Sequence, residues 1–458
     1  MKQGFCHTLL ALCCALWFGS CSLYTAYTRP DDITADGVFG EGVAVTDTVT
    51  LADLSWREFF TDPHLQVLIE RGLVNNIDMR TADLRIAEAE AALSTARLSY
   101  YPTVNFTPQG GLSTYNFDGL NTTYRLPVTA EWNIDVAGRL HNRKQRARAA
   151  FEQSEINRRY IQTRLIAAIA NGYYTLLMLD SQLEVSRTTA ANWKENVRIM
   201  KAMKDAGMTN EASVSQTEAN SWAIETSLFD LRRQIRAAET SLSLLLGEAP
   251  HTIERGTLAE QTLREDLLVG VPAQLLANRP DVRSAELDLE QTFYNTNLAR
   301  AAFYPSVSLA GTLGWVKDGV TLNPGQFLLS FVLSLAQPIF NGGVNKANLK
   351  IAQAQQEEAR IAFVQTLLNA GGEVNDALEQ CQTARGKSDL RRHQIAALES
   401  AVRSTQQLMR YSDKAYTYLE VLTAQQALLQ AQLSQIADYF EGIQGMVNLY
   451  QALGGGRE

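Results

Sequence analysis

The 458-residue chain has little of what catalytic sites and stapled folds are made from. It carries five histidines, none at a metal-type spacing, and no Gly-x-Ser-x-Gly, His-Glu-x-x-His or phosphate-loop pattern. No catalytic residue, metal site or cofactor is therefore expected, and an enzyme is the weakest of the readings weighed below. Cysteine is scarce too. Of the five, Cys6, Cys13 and Cys14 lie within the first twenty residues, Cys21 follows directly, and only Cys381 remains in the body. No intrachain disulfide is expected, and Cys381, on an apolar helical stripe, should be a buried, inert thiol. The formal net charge of −8 argues against a nucleic-acid partner, because phosphate backbones are gripped by cationic surfaces. The apolar run from Phe5 to Phe18 is too short to span a bilayer comfortably.

That run follows Lys2 and ends in small Gly19 and Ser20, so residues 1–20 read as a secretory signal. A cysteine directly after small residues resembles a lipobox. Processing there would leave Cys21 acylated, although Phe18 stands where such boxes usually have leucine and the signal has a single positive charge. An ordinary signal cleaved nearby is the alternative. Residues 21–55, with their Pro, Gly, Asp and Thr, read as a lipidated tether and girdle segment.

The body says nearly everything twice. Asp78, Arg80, Ala82, Leu84, Arg97, Tyr101, Pro102 and Val104 return at one constant offset as Asp281, Arg283, Ala285, Leu287, Arg300, Tyr304, Pro305 and Val307. Further on, Ile134 and Gly138 return as Ile339 and Gly343, and Leu246-Gly247 as Leu453-Gly454. The unit is too long for a solenoid repeat and reads as a tandem duplication. Repeat 1 covers 56–247, a connection covers 248–273, repeat 2 covers 274–453, and 454–458 form a tail. Each repeat reads as helix, two strands, then very long helix.

The strand pairs occupy 103–136 and 305–340. In the first, segments at about 103–115 and 123–136 flank a turn. Tyr124, Leu126, Val128, Ala130, Trp132, Ile134 and Val136 alternate with Arg125, Pro127, Thr129, Glu131, Asn133 and Asp135, the period-two signature of a strand with one apolar face. Repeat 2 does the same, with Val307, Leu309, Leu313 and Trp315, then Phe327, Leu329, Phe331, Leu333 and Leu335; Leu328 and Val332 blur its polar face. About ten tilted residues suffice to cross an outer membrane, whereas a soluble sandwich needs strands spaced through the chain. Four strands cannot close a barrel, and lipid does not tolerate an open sheet edge. Copies of the chain must complete it, and because an eight-stranded barrel is filled by its own side chains, a passage favours three copies and twelve strands.

After each strand pair comes helix of unusual length, about 139–205 with 212–246, and about 343–412 with 418–449. At 1.5 Å per residue the longer ones reach on the order of 100 Å. Val364, Leu367, Val374, Leu378 and Cys381 keep three-and-four spacing, as do Ile169, Tyr173, Leu176 and Leu183. These stripes predict left-handed coiled-coil packing and structural work only.

The phrase Val271-Pro272-Ala273-Gln274-Leu275-Leu276-Ala277-Asn278-Arg279-Pro280-Asp281-Val282-Arg283, with Tyr304-Pro305 and the ending Leu449-Tyr450-Gln451-Ala452-Leu453-Gly454-Gly455-Gly456, resembles the outer-membrane factor lipoproteins, the TolC/NodT-like exit ducts. The resemblance implies a mainly α fold with membrane β: a homotrimer in which a coiled-coil tunnel of helices joins a shared twelve-stranded outer-membrane barrel. It implies a passive efflux conduit, lipid-anchored in the outer membrane, docked to a periplasmic adaptor and an inner-membrane pump expected to be proton-driven. The adaptor-contacting turns would be Gly207, Met208 and Thr209 in repeat 1 and the stretch around Lys414 in repeat 2, where Lys414 replaces the family's glycine. Glu420 matches an acid at the periplasmic gate, with Thr423 in place of a second acid. A latch tyrosine matches Tyr411, and its acidic partner is here Ser213, so any latch carries no charge on that side.

Besides the enzyme, one other class of function rivals the duct. A trimeric coiled-coil spacer or adhesin predicts helices without paired membrane strands. Within the duct reading, type I protein secretion is the alternative to small-molecule efflux.

Overall fold

The computed structural model describes residues 25–30, 33, 54–114, 121–261, 279–317, 325–411 and 416–456. The expected signal, Cys21, most of the tether, Lys414 and the connection after residue 261 lie outside the described residues.

Short-range signals set the first helices. α1 (Trp56–Phe59) opens on a capping box in which Ser55 and Glu58 satisfy each other's backbone N–H. α2 (Pro63–Asn75) has Asp62 at its N-cap and proline at its first position. Asn76 then ends α2 through its own N–H and starts α3 (Ile77–Leu98), its side-chain oxygen accepting from the N–H of Asp78 and Met79 at 2.8 and 3.1 Å. The chain continues through β1 (Thr103–Phe106), β2 (Gln109–Ser113), β3 (Asn121–Ile134), α4 (Arg139–Asp205), α5 (Glu211–Leu245) and a 3-10 turn at Leu258–Glu260. α6 (Pro280–Ala301), β4 (Ser306–Lys317), β5 (Gln326–Ala336), α7 (Val344–Tyr411) and α8 (Tyr416–Ala452) follow.

The strands form one antiparallel sheet in the order β1–β3–β4–β5, with β2 also on β3. Two strand expectations need correction. The single strand expected over 103–115 is two, broken at Thr107-Pro108. The register is unchanged across the break, with Phe106 opposite Val128 and Gln109 opposite Arg125, so no residue has been inserted. The skipped positions hold Pro108 on one strand and face Pro127 on the other, and proline has no N–H to give a ladder. The partner strand, expected to run to 136, ends at Ile134. Asp135 leaves the sheet because its carboxylate accepts the N–H of His141 at the start of α4, at 2.8 Å.

The described residues fall into two compact units. One gathers the described parts of Met1–Thr34, Asp83–Asn157 and Arg283–Thr366, and it contains the sheet. Here the N-terminal segment lies on α6: Tyr27 packs edge-on to Phe293 with ring centroids 5.8 Å apart, and its N–H donates to the Tyr294 hydroxyl. Burial, reinforced by Glu286, pushes the Tyr27 phenol up to about 12.

The other unit comprises the described parts of Ala35–Ala82, Arg158–Val282 and Leu367–Glu458. Its core joins Trp56 and Phe60 to Leu65 and Ile69 of α2, Ile166, Ile169, Tyr173 and Leu176 of α4, Leu242 of α5 and Tyr450 of α8. Phe59 stacks on Tyr450 at 4.3 Å. The segment after α5 is tied in by polar groups. Asp62 accepts from the Tyr173 hydroxyl at 2.6 Å and from the Gln261 amide at 2.8 Å, and the N–H of Gly256 donates to that same hydroxyl at 3.1 Å. Arg279, buried, donates to Asp281, to Glu373 at 2.5 Å and to the Ala452 carbonyl at 2.7 Å. Along α7 within this unit, Leu367, Ala370, Val374, Ala377, Cys381 and Ala384 are buried in alternating three-and-four steps, the seven-residue period of a coiled-coil seam. Burial pushes the Cys381 thiol up to about 11, as suits an inert core residue.

Candidate functional site

The register of the sheet sorts its side chains into two faces, because successive residues of a strand point to opposite sides. On one face, the rows across β3, β4 and β5 are Leu126, Trp315, Phe327; Val128, Leu313, Leu329; Ala130, Gly311, Phe331; Trp132, Leu309, Leu333; and Ile134, Val307, Leu335. All are apolar or glycine. Glycine at 311 matters, since a Cβ there would lie 3.3 Å from the Phe331 ring. The other face carries Thr129, Thr312, Ser330 and Asn133, Ser308, Ser334, together with Arg125 and Glu131. Leu328 and Val332 sit on this polar face, opposite Gly314 and Ala310. The apolar face has Trp315 and Phe327 in edge contact at 6.3 Å near one end. Near the other end the Trp132 indole N–H donates to the Tyr100 carbonyl at 2.9 Å. Aromatic side chains at both ends of an apolar band are how a membrane strand set meets its two interfaces.

The helical turns form the second part. α4 ends in a Schellman motif: the N–H of Gly207 reaches the Lys204 carbonyl at 2.9 Å and that of Met208 the Met203 carbonyl at 2.8 Å, with Gly207 at φ +75°. No atom lies within 4 Å of where a Gly207 Cβ would stand, so glycine is required by the backbone and not by space. Met208 is exposed and Thr209 partly so. Asn210 then caps α5, accepting from the Ser213 N–H at 2.9 Å and the Ser213 hydroxyl at 3.2 Å. Lys204 and Glu211 close the turn with an ion pair at 2.5 Å, and that bond raises the Lys204 ammonium above its ordinary value.

Ser213 is thus engaged in the cap of its own helix. Tyr411, its implied latch partner, is the last residue of α7, and its side chain lies outside the description. In the second turn, Lys414 is outside the described residues. On α8, Val421 and Leu422 are buried, while Glu420 and Thr423, three residues apart, share an exposed face. Leu422 joins Trp193 and Met200 of α4 and Val214 of α5 in one small apolar cluster, so α8 is seated against the first turn's two helices. Sequence reasoning missed the Asn210 cap and the Lys204–Glu211 pair. The signal was available, because Asn followed by an acid is a helix-start pattern.

Three comparisons bear on this arrangement. The family model described as "Outer membrane efflux protein" matches residues 68–248 and 271–455. Cation efflux system protein CusC of Escherichia coli O6:H1 is 29% identical over 458 residues, covering 98% of each chain. Probable outer membrane lipoprotein SilC of Salmonella typhimurium is 27% identical over 452 residues, covering 96% of each. Among solved structures, the outer-membrane channel OprN superposes with a TM-score of 0.84 at 24% identity, covering 95% of this chain and 99% of that one; at that identity the likeness is one of fold.

Proposed function

This chain belongs to the outer membrane efflux protein family, and from that premise we propose that it works as the homotrimeric, lipid-anchored exit duct of a tripartite pump. It is an outer-membrane component of an efflux system, with a periplasmic adaptor and an inner-membrane pump as its partners. The efflux reading is preferred to type I secretion because the relatives carry efflux names. In our reading the pump is proton-driven and the anchor is an acyl group on Cys21, in keeping with the lipoprotein name of SilC.

The observation that carries the trimer is the sheet. It is one strand order with two ends, β1 and β2 at one and β5 at the other, and on β5 the apolar residues Phe331, Leu333 and Leu335 are 72%, 69% and 65% exposed. Hydrocarbon can cover that face but cannot satisfy a strand edge, so the edge of one copy pairs with the opposite edge of the next. With β1 and β2 taken as one interrupted strand, three copies give a twelve-stranded barrel whose polar face, with Arg125 and Glu131, lines water. Glu420 contributes a ring of three carboxylates at the periplasmic mouth, where a charge ring selects by sign. Thr423 stands on the same face, and Gly207, Met208 and Thr209, with the turn at Lys414, meet the adaptor. Tyr411 and Ser213 form an uncharged latch.

Native mass spectrometry of the detergent-extracted protein tests the assembly. Three chains per particle are expected; a stable single-chain or two-chain species contradicts it.

A further inference from the structure

The row Ile134, Val307, Leu335 lies at one end of the sheet. α4 and α7, which follow β3 and β5, both begin at that end, and α3 finishes there, because Thr103 just after it pairs with Glu131. In a chain of net charge −8 this end is strongly basic. From Val136 to Phe151 the sequence holds Arg139, Arg143, Lys144, Arg146 and Arg148 and no acid; from Gln337 to Gln356 it holds Lys346 and Lys350 and no acid. Cations in the first turns of a helix face the positive end of its dipole, so these residues do not serve the helices they sit on. The fold accounts for three of them. Arg139 donates to the Ala301 and Tyr304 carbonyls, Arg146 to the Asn295 side chain at 3.2 Å, and Arg148 to Glu152 at 2.9 Å. The other four, Arg143, Lys144, Lys346 and Lys350, have no hydrogen bond or ion pair among the described residues, and neither has Arg97, exposed in the last turn of α3. The acid preceding α4, Asp135, is engaged by the His141 N–H at 2.8 Å.

This patch borders the apolar face of the sheet. Trp132, on that face, donates its indole N–H to the Tyr100 carbonyl at 2.9 Å, and the Lys144 ammonium lies 5.9 Å from the centre of the Tyr100 ring. Tyr101 follows, 68% exposed. Apolar face, aromatic rim and uncompensated cation thus succeed one another, in the order in which acyl chains, interface and phosphate succeed one another through a lipid leaflet. A zwitterionic headgroup brings its own ammonium and leaves these cations unbalanced. A headgroup of net negative charge balances them.

We propose that this end of the sheet is a binding surface for anionic phospholipid, with the headgroup phosphate on Lys144 and Arg97 and the acyl chains along Trp132 and Ile134. Lys346 and Lys350 bring the same charge to the start of α7. Placing the lipid in the periplasmic leaflet rests on the duct reading, which puts the helices in the periplasm; the surface itself is complete on one chain.

Native mass spectrometry of the full-length protein in detergent counts bound lipids, with phosphatidylglycerol as the probe and phosphatidylethanolamine of identical chains as the reference. Phosphatidylglycerol should bind saturably and several-fold more tightly. Arg97→Gln combined with Lys144→Gln should weaken it by about ten-fold or more, since each cation near an anionic surface contributes roughly five-fold, and should leave phosphatidylethanolamine unchanged. Lys144→Arg, which keeps the charge, should bind as the wild type does. Lys317→Gln, at the opposite end of the sheet beside Tyr124, should have no effect, and glycerol 3-phosphate, an anion without chains, should not compete. Equal affinity for the two lipids, an unchanged phosphatidylglycerol affinity in the double variant, an equal loss in Lys317→Gln, or displacement by glycerol 3-phosphate overturns the proposal. The same spectra count chains per particle, so a failure of the trimer is read separately from a failure of lipid binding.

Discussion

Arg29 and Glu286, 257 positions apart in the chain, meet in a two-pronged ion pair, with Nε on Oε1 at 2.7 Å and Nη2 on Oε2 at 2.6 Å. Arg283 donates to the same carboxylate at 2.8 Å, and the Arg29 guanidinium lies 5.6 Å from the centre of the Phe363 ring. The carboxylate is nearly buried and the guanidinium is half-exposed. This pair fastens the N-terminal segment, a few residues after the proposed acylation site, to α6.

Arg29→Gln should therefore release the segment without unfolding the rest. Losing one partner of a nearly buried carboxylate costs about 1–3 kcal/mol, and the low end is expected because Arg29 is partly solvated and Arg283 remains. Limited proteolysis reads the result, as faster cleavage between residues 25 and 33 with the body intact.

The same helix predicts two pH effects of opposite sign. Burial works to raise the Glu286 carboxyl, but the bonds from Arg29 and Arg283 outweigh it and hold it below the ordinary carboxylate value. A depressed folded value means stability present above the unfolded pKa and lost as pH falls through the folded one, so Glu286→Gln should flatten the acid limb of the stability profile. Glu290 is raised, by burial and then by the charge of Glu152. Its contribution is favourable in acid and lost as pH rises, so Glu290→Gln should stabilise the protein near neutral pH. Thermal unfolding of both variants across the acid range separates them.

At the first turn, Gly207→Ala should cost about 1 kcal/mol from backbone strain alone, since an L-residue resists positive φ and the space for a methyl is open. Gly207→Asn should cost less, because asparagine visits that region more readily. Thermal shift of the two variants is the check. Equal losses would point to a packing defect instead.

The two faces of β5 can be told apart by charge. Leu329 lies in an apolar row and Ser330 in a hydroxyl row. An arginine on a lipid face costs about 2–4 kcal/mol near the membrane midplane, so Leu329→Arg should impair assembly into the outer membrane while Ser330→Arg should be tolerated. The reverse outcome inverts the barrel.

Most of the fold was legible because its signals are local or periodic. Alternation at Tyr124 to Ile134 announced a strand, and three-and-four spacing at Leu367, Val374 and Cys381 announced a seam. The break at Thr107-Pro108 was hidden until the register put Pro127 opposite it, since a lone proline does not say which partner it faces. The blurred face at Leu328 and Val332 was resolved the same way, by pairing and not by pattern. Contacts of long sequence separation, such as Arg29 with Glu286 or Arg279 with Glu373 and Ala452, left no trace in spacing. Of the candidate site, glycine at 207 was readable from its turn, whereas the use of Ser213 in a cap depends on Asn210 pointing at it.

Single-channel recording in planar bilayers reads the proposed narrowing of the duct by a Glu420 ring. A cation-preferring open pore is expected, with both that preference and the block by multivalent cations falling in Glu420→Gln. Glu131→Gln, in the wider barrel where solvent and salt screen more, should change little. If Glu420→Gln leaves selectivity and block unchanged while Glu131→Gln alters them, Glu420 does not line the constriction and the proposed gate is wrong.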